Sequence, residues 1–528
     1  MRLFFVFLFA LFSGVNCYKI LIYNPKFGIS HVTFSGKIAD TLAAAGHEVV
    51  VYQPELRAEI TFTGSKNKSI RYISMPRNES GDEVLKLSNT MQAIQDRMWE
   101  EQSMTKMIGM MGTFNKLGET FCEEVMNDNE NLKKLKDENF DLGMTEIFNA
   151  CGLGIFHKIG LKKYITTFGG ALSPSSASLL GIKMHPSYIP GMMSSSTDQM
   201  TFFERVKSFV GYFVENAFLA SMFTKGSEIA IRKQFPNFDI ADAVADSAFY
   251  FVNSDEHVDY AQPITHKIIY MAGLGKIQAK PLEKEYTDIF DSAKKGVILF
   301  SFGSVAQSHK MPAEMKKSFL EAFAEFPEIN FLWKYEKDED QIAKGYKNVF
   351  TGKWLPQNDI LDHPKLLAFI SHGGMNSVME GSTKGVPMIC IPVFGDQDHN
   401  SIFLVRRGTA IKLEKSEISK ESVVAAIKEI ITNEKYRKNA KLLSKMVAAK
   451  PTKAEERVVK YAEFAAQFGD TGTLQTQGRY QSFWVLYSID VITFLVTVIA
   501  IAIILIILVV KKMLNVLKRI FRTKQKKN

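Results

Sequence analysis

Residues 366–397 read LLAFISHGGMNSVMEGSTKGVPMICIPVFGDQ, and this stretch decides the fold. Leu366–Ile370 is an apolar run of strand length, and Ser371-His372-Gly373-Gly374 turns it into a helix that continues through Gly381. The next apolar run, Val386–Val393, is a second strand. Strand, helix and strand in this order form the unit of a parallel sheet covered by helices. Glycines at such a turn let the backbone approach a ligand closely, and the helix N-terminus offers free N–H groups and a positive dipole end to an anion. His372, Asn376 and Ser377 add donors aimed at the same place, so a diphosphate is the natural occupant; alone, the His-Gly-Gly run would make no more than a tight turn. Its neighbours give it chemical content. Trp354 and Gln357 lie just before the first strand, where an indole could stack a planar base and an amide bond its edge. Glu380 shares a helix face with Asn376 and Ser377, where a carboxylate can accept from ribose hydroxyls. Asp396 and Gln397 follow the second strand and offer an acceptor and a donor to sugar hydroxyls.

The same order of elements recurs toward the N-terminus. Lys19–Tyr23 is a short apolar strand and Asn24–Ile29 a loop. Ser30–Ala45 carries apolar residues at 34, 38, 42 and 45, a helical spacing closed by Gly46. Glu48–Tyr52 resumes as a strand, and Phe140–Phe148 reads as a later one. A polar, proline-containing connection at roughly 278–294 separates the halves, after which Gly296–Phe302 restarts the pattern and runs into Gly303-Ser304. Further strands are expected at 329–335, 366–370 and 386–393. A chain of 528 residues exceeds one hydrophobic core, so two α/β domains in series are expected, with a ligand cleft between them. The stretch 168–224 differs in character. Phe202, Phe203, Phe209, Tyr212, Phe213 and Phe218 are spaced for helices and are expected to fill a core, the alternatives being an adaptable apolar pocket or a membrane-facing surface.

The formal net charge of +9 is carried by the two ends. With Arg2 and the eight bases after residue 510 set aside, 56 bases face 56 acids, which argues against a basic nucleic-acid face. Residues 1–17, with the ten-residue apolar run Leu3–Phe12, have the layout of a cleaved signal peptide. Val491–Val510 is free of charge and proline and long enough to span a bilayer; Lys511-Lys512 opens an acid-free tail that should face the cytosol. Asn67-Lys-Ser and Asn78-Glu-Ser are glycosylation acceptors consistent with a lumenal body. The four cysteines (17, 122, 151, 390) suggest neither a disulfide framework nor metal-ligand spacing, and Cys390 reads as a buried core thiol.

The run WLPQNDILDHPKLLAFISHGGMNSVMEGSTKGVPMICIPVFGDQ, residues 354–397, resembles the signature of the UDP-glycosyltransferases in its UDP-glucuronosyltransferase form. The resemblance extends to Phe300–Ser304, to Pro186–Pro190 and to both ends of the chain. It implies a GT-B-type fold of two Rossmann-like, doubly wound domains: an acceptor domain (18–285) and a UDP-sugar domain (286–480), followed by a transmembrane helix (490–510) and a basic tail (511–528). It implies inverting transfer from a UDP-sugar to a small lipophilic acceptor, with no metal or other cofactor. Trp354 would stack on uracil, Gln357 would contact uracil or ribose, and Glu380 would take the ribose. Ser304, His372, Gly373, Gly374, Asn376 and Ser377 would hold the diphosphate, and Asp396 and Gln397 the sugar.

His31 stands where the family has its catalytic base. A helix start disfavours an imidazolium, leaving the ring able to accept a proton. Glu146 stands where relatives commonly have the aspartate that orients this histidine, a departure by one methylene, with Asp141 as the alternative. Many vertebrate relatives carry an arginine where this chain has Val252; if that arginine pairs the glucuronate carboxylate, its absence favours glucose, and the choice between a hexuronosyl and a hexosyl group stays open. Lys524 and Lys526 resemble a dilysine retrieval signal and imply a single-pass type I protein of the endoplasmic reticulum; self-association is left open. A non-catalytic binding relative is the competing reading, and His31 together with the 354–397 cluster weighs against it.

Overall fold

The computed structural model describes residues 17–77, 82–100, 104–216, 223–274 and 280–525. The expected leader peptide apart from Cys17, the acceptor Asn78, Phe218 and Lys526 lie outside them. One compact body ends at Gln475, and residues 476–528 form a second unit.

The body is built on two all-parallel sheets. The first has seven strands: β1 (Lys19–Tyr23), β2 (Glu48–Pro54), β3 (Arg71–Met75), β4 (Leu142–Glu146), β5 (Tyr164–Phe168), β6 (Tyr250–Val252) and β7 (Ile268–Tyr270). Their order across the sheet is β3-β2-β1-β4-β5-β6-β7. The second holds β8 (Gly296–Ser301), β9 (Ile329–Lys334), β10 (Val349–Gly352), β11 (Leu366–Ser371), β12 (Met388–Cys390) and β13 (Ala410–Lys412), in the order β10-β9-β8-β11-β12-β13. Both sheets reverse direction once, between β1 and β4 and between β8 and β11. Loops diverge at such a reversal and leave a crevice at the carboxyl ends of the strands. The central strands are buried from end to end, in keeping with their continuous apolar sequences.

Three expectations need correction. Residues 202–214 form a helix whose Phe202, Phe203, Phe209 and Phe213 are exposed, and among the described residues only Tyr212 of the expected aromatics is buried. The connection at 278–294 contains a helix, Lys284–Ser292, anchored by buried Ile289 and Phe290. Cys122 and Cys151, 29 residues apart, form a disulfide joining the helices Met104–Met126 and Cys151–Ile159. Their spacing in the chain gave no sign of it, because it is the packing of the two helices that brings them together. Cys390 is a buried free thiol, as expected. The helix Ala454–Phe468 belongs by sequence to the second domain. It nevertheless packs through Val458, Ala462, Ala465 and Ala466 onto the core of the first sheet. The second unit contains a helix, Ile489–Gln525, that includes the expected span and is long and apolar enough to cross a membrane.

Candidate functional site

Each sheet's reversal supplies one wall of a cavity of about 1100 Å³. From the first sheet, the loop after β1 leads into the helix Ile29–Ala44, which carries His31 in its first turn. Glu146 ends the neighbouring strand β4. His31 Nδ1 lies 2.9 and 2.8 Å from the two carboxylate oxygens of Glu146. The Gly169 amide donates to Glu146 Oε1 at 2.8 Å, and the carboxylate is buried. Phe27 and Phe148 flank the imidazole, each with its ring centroid 4.5 Å away. Nδ1 is thus committed and Nε2 is left for the cavity that His31 lines. Asp141 instead accepts from the Lys19 amide at the far end of β1, so it does not orient His31.

From the second sheet, the turn after β11 opens the helix Met375–Lys384. No side chain caps this N-terminus, so its first amides are open to a ligand. The turn needs its glycines: Gly373 has φ +80°, and a Cβ there would sit 2.4 Å from Ser401 Oγ. Ser304, Trp354, Gln357, His372, Gly374, Asn376, Ser377, Glu380, Asp396 and Gln397 all line the cavity, whereas Glu146 and Gly373 support it from behind. The Gln357 amide donates to Glu380 at 2.6 Å. Asp396 accepts from Asn400 at 2.7 Å; burial raises its pKa, opposed in part by the nearby His31. The oxygen of the Gln397 amide is already occupied by the Val393 and Phe394 amides, so only its NH2 remains for a ligand. Burial, with the charge of Lys334 second, lowers the His372 pKa to about 4 and keeps the ring neutral at pH 7.

Two residues at this site were missed in the sequence. Lys334 ends β9, donates to Gly303 O at 2.8 Å, pairs with Glu336 at 2.9 Å and lies 5.8 Å from the Trp354 ring centroid. It is a fixed cation beside the glycine turn, and its place at the end of an apolar strand was the signal available. Asn253, just beyond β6, donates to Gly169 O and to Asn376 Oδ1, both at 3.0 Å, and so joins the two walls. No sequence pattern marks it. Val252 is fully buried in the first core and does not reach the cavity. Asn67 lies outside the cavity, its side-chain oxygen accepting from the Ser69 amide and hydroxyl. Among the described residues, no group of three or more His, Cys, Asp or Glu could hold a metal ion.

Known proteins share this arrangement. Residues 19–527 match the family described as UDP-glucoronosyl and UDP-glucosyl transferase. UDP-glucuronosyltransferase 1A7 of Mus musculus is 28% identical over 500 residues, covering 92% of this chain and 90% of that one. UDP-glucosyltransferase 2 of Dactylopius coccus is 28% identical over 498 residues, covering 92% and 91%. Among solved structures, the glycotransferase of kitacinnamycin aligns with a TM-score of 0.58 at 16% identity, covering 86% of this chain and 99% of that one. LpCGTa in complex with UDP aligns at 0.54 and 17%, covering 85% and 99%. The shared architecture is the GT-B fold.

Proposed function

The chain belongs to the UDP-glucoronosyl and UDP-glucosyl transferase family and is a glycosyltransferase using a UDP-sugar, and from that premise we propose that it moves glucose from UDP-glucose onto the hydroxyl of a small lipophilic acceptor, with inversion. The observation that carries this reading is the opposition of His31–Glu146 and the His372 glycine turn across one cavity.

A phenolic hydroxyl has a pKa near 10, far above that of a histidine, so its proton must leave as its oxygen attacks the anomeric carbon. His31 Nε2 takes that proton, while Glu146 accepts from Nδ1–H and balances the imidazolium as it forms. The bond between the anomeric carbon and the β-phosphate oxygen breaks, and UDP leaves with the electron pair. Its charge is met by Ser304, His372, the first amides of Met375–Lys384 and the Lys334 cation, so the step needs no metal. Trp354 stacks the uracil, Gln357 and Glu380 take the base edge and ribose, and Asp396 with the Gln397 NH2 takes the sugar. Lipophilic acceptors are supported by the apolar surroundings of His31, where Ile29, Phe148, Phe168 and Met192 line the cavity. Glucose is supported by Asp396, which lines the cavity and whose carboxylate can accept from a sugar hydroxyl but would repel a uronate.

The reading includes residence in the endoplasmic reticulum membrane with the body lumenal, supported by Lys511-Lys512 beyond the apolar span and by the acceptor Asn67. Endoglycosidase H sensitivity lost in Asn67→Gln would support that orientation. The deciding experiment for function is a donor panel on membranes containing the full chain, with a simple phenol as acceptor. Turnover with UDP-glucose well above UDP-glucuronate is expected. The reverse order overturns the choice of sugar, and turnover unaffected by His31→Ala overturns the assigned base.

A further inference from the structure

The helix Phe202–Val214 is built inside out for a water-soluble body. Phe202, Phe203, Val206, Phe209, Val210, Phe213 and Val214 are all exposed, Phe203 to 81%. At about 100° per residue these seven positions occupy one continuous arc of roughly 140°. Ser208 and Tyr212, and Glu215 just beyond the helix, are buried on the opposite side. The apolar arc is therefore not a core face left loose, because the helix already packs with its other side.

The charges are ordered around that arc. On the same wheel Lys207 falls at one edge and Arg205 at the other, while Glu204 falls on the far side, where it closes a capping box with Thr201. Arg205 reaches back over the Phe202 ring, 5.8 Å from its centroid. Bulky aromatics and valines between two flanking cations are the pattern of a helix lying in a lipid interface, with cationic heads at headgroup level and stems along the apolar surface. A packed protein partner would not require cations on both edges. The same chain carries a helix long and apolar enough to cross a membrane.

We propose that Phe202–Val214 is an interfacial helix that seats the body on the lipid surface, independently of the membrane-spanning segment. Its inner end is tied to the cavity: the Glu215 carboxylate accepts from the Met192 amide at 2.8 Å and from the Ser175 amide at 3.3 Å, and Met192 lines the cavity. Seating on lipid thus places the acceptor end of the cavity close to the phase in which apolar acceptors concentrate.

The test uses the full chain in vesicles of phosphatidylcholine with phosphatidylserine, carrying Cys17→Ser. A nitroxide is placed in turn at Val206→Cys, Val210→Cys, Lys207→Cys and, as a solvent-exposed control, Lys428→Cys. All four positions are exposed, so the substitutions leave packing intact, and a retained thermal shift with UDP verifies the fold. Collision with oxygen and with a water-soluble nickel complex reads the depth. Labels at 206 and 210 are expected about 5–10 Å below the headgroups, with 207 shallow and 428 in water. Labels at 206 and 210 as open to nickel as 428 overturn the proposal. So does dipolar broadening with exclusion of both reagents, which would assign the face to a second copy of the chain.

Discussion

Glu146 touches His31 through both carboxylate oxygens, and one of these also receives the Gly169 amide, so charge and position are set by a single buried group. His31→Ala should lower turnover at least about a hundredfold, the usual size of a general-base contribution. The thermal shift with UDP should stay near wild type. Glu146→Gln should also impair turnover, because an amide cannot balance an imidazolium. Glu146→Asp keeps the charge, a methylene short, and should retain more activity than Gln; a harmless Gln would remove Glu146 from the mechanism. His372 carries a second prediction. Its folded pKa, about 4, lies below the ordinary 6.5, so between those values the unfolded chain binds a proton that the folded chain refuses. Its contribution to stability is therefore whole above pH 6.5 and declines as pH falls toward 4. Melting of the ligand-free protein across that window should show the decline, and His372→Gln should lessen it, the remainder belonging to His399, which burial lowers to about 3. That residues 354–397 would meet at one cavity was legible in sequence, because they follow one another closely along a single strand–turn–helix stretch. Lys334 and Asn253 were not, because they reach the site only where distant strand ends meet.

Among elements, the glycine turn after β11 tolerates little change. Gly373→Ala adds a Cβ into Ser401 and a side chain at φ +80°, a strain of about 1–3 kcal/mol. The Gly373 carbonyl is held by Asn400, which also binds Asp396, so displacement of the turn would reach Asp396 as well. UDP affinity by calorimetry should fall about tenfold or more, about 1.4 kcal/mol. Gly395→Ala, at φ +67° but with open space around it, should cost far less. If the two variants bind UDP equally, the close packing of the turn is irrelevant to the site. The strands and helices of the two βαβ starts were readable because period and punctuation agree there: Lys19–Tyr23 is found as read, and the next helix shifts by one residue at each end. The phenylalanine helix shows where such reading stops. Periodicity reveals that a helix has an apolar face, and only the fold reveals which way that face points.

At the scale of the whole molecule, the body depends on a return of the chain. After the second sheet is complete, the helix Ala454–Phe468 crosses back and closes the core of the first. Lys450 and Arg457 flank the crossing, with Lys450 bonded to Asp255 and Glu256 and Arg457 to Glu256 and the Tyr270 carbonyl. A boundary drawn from sequence misses this, because an amphipathic helix does not record which sheet it will cover. Ala462 is fully buried in that core and does not line the cavity, although Val459 and Lys460 of the same helix do. Ala462→Leu overfills the site at a cost of about 1–3 kcal/mol. Melting temperature should therefore drop by a few degrees, while UDP affinity measured well below the transition stays within about twofold of wild type. Loss of UDP binding without a drop in melting temperature would mean that this helix acts on the second sheet instead. A drop in both would mean that the two sheets do not respond independently, and that UDP binding rests on the same return crossing that completes the core of the first sheet.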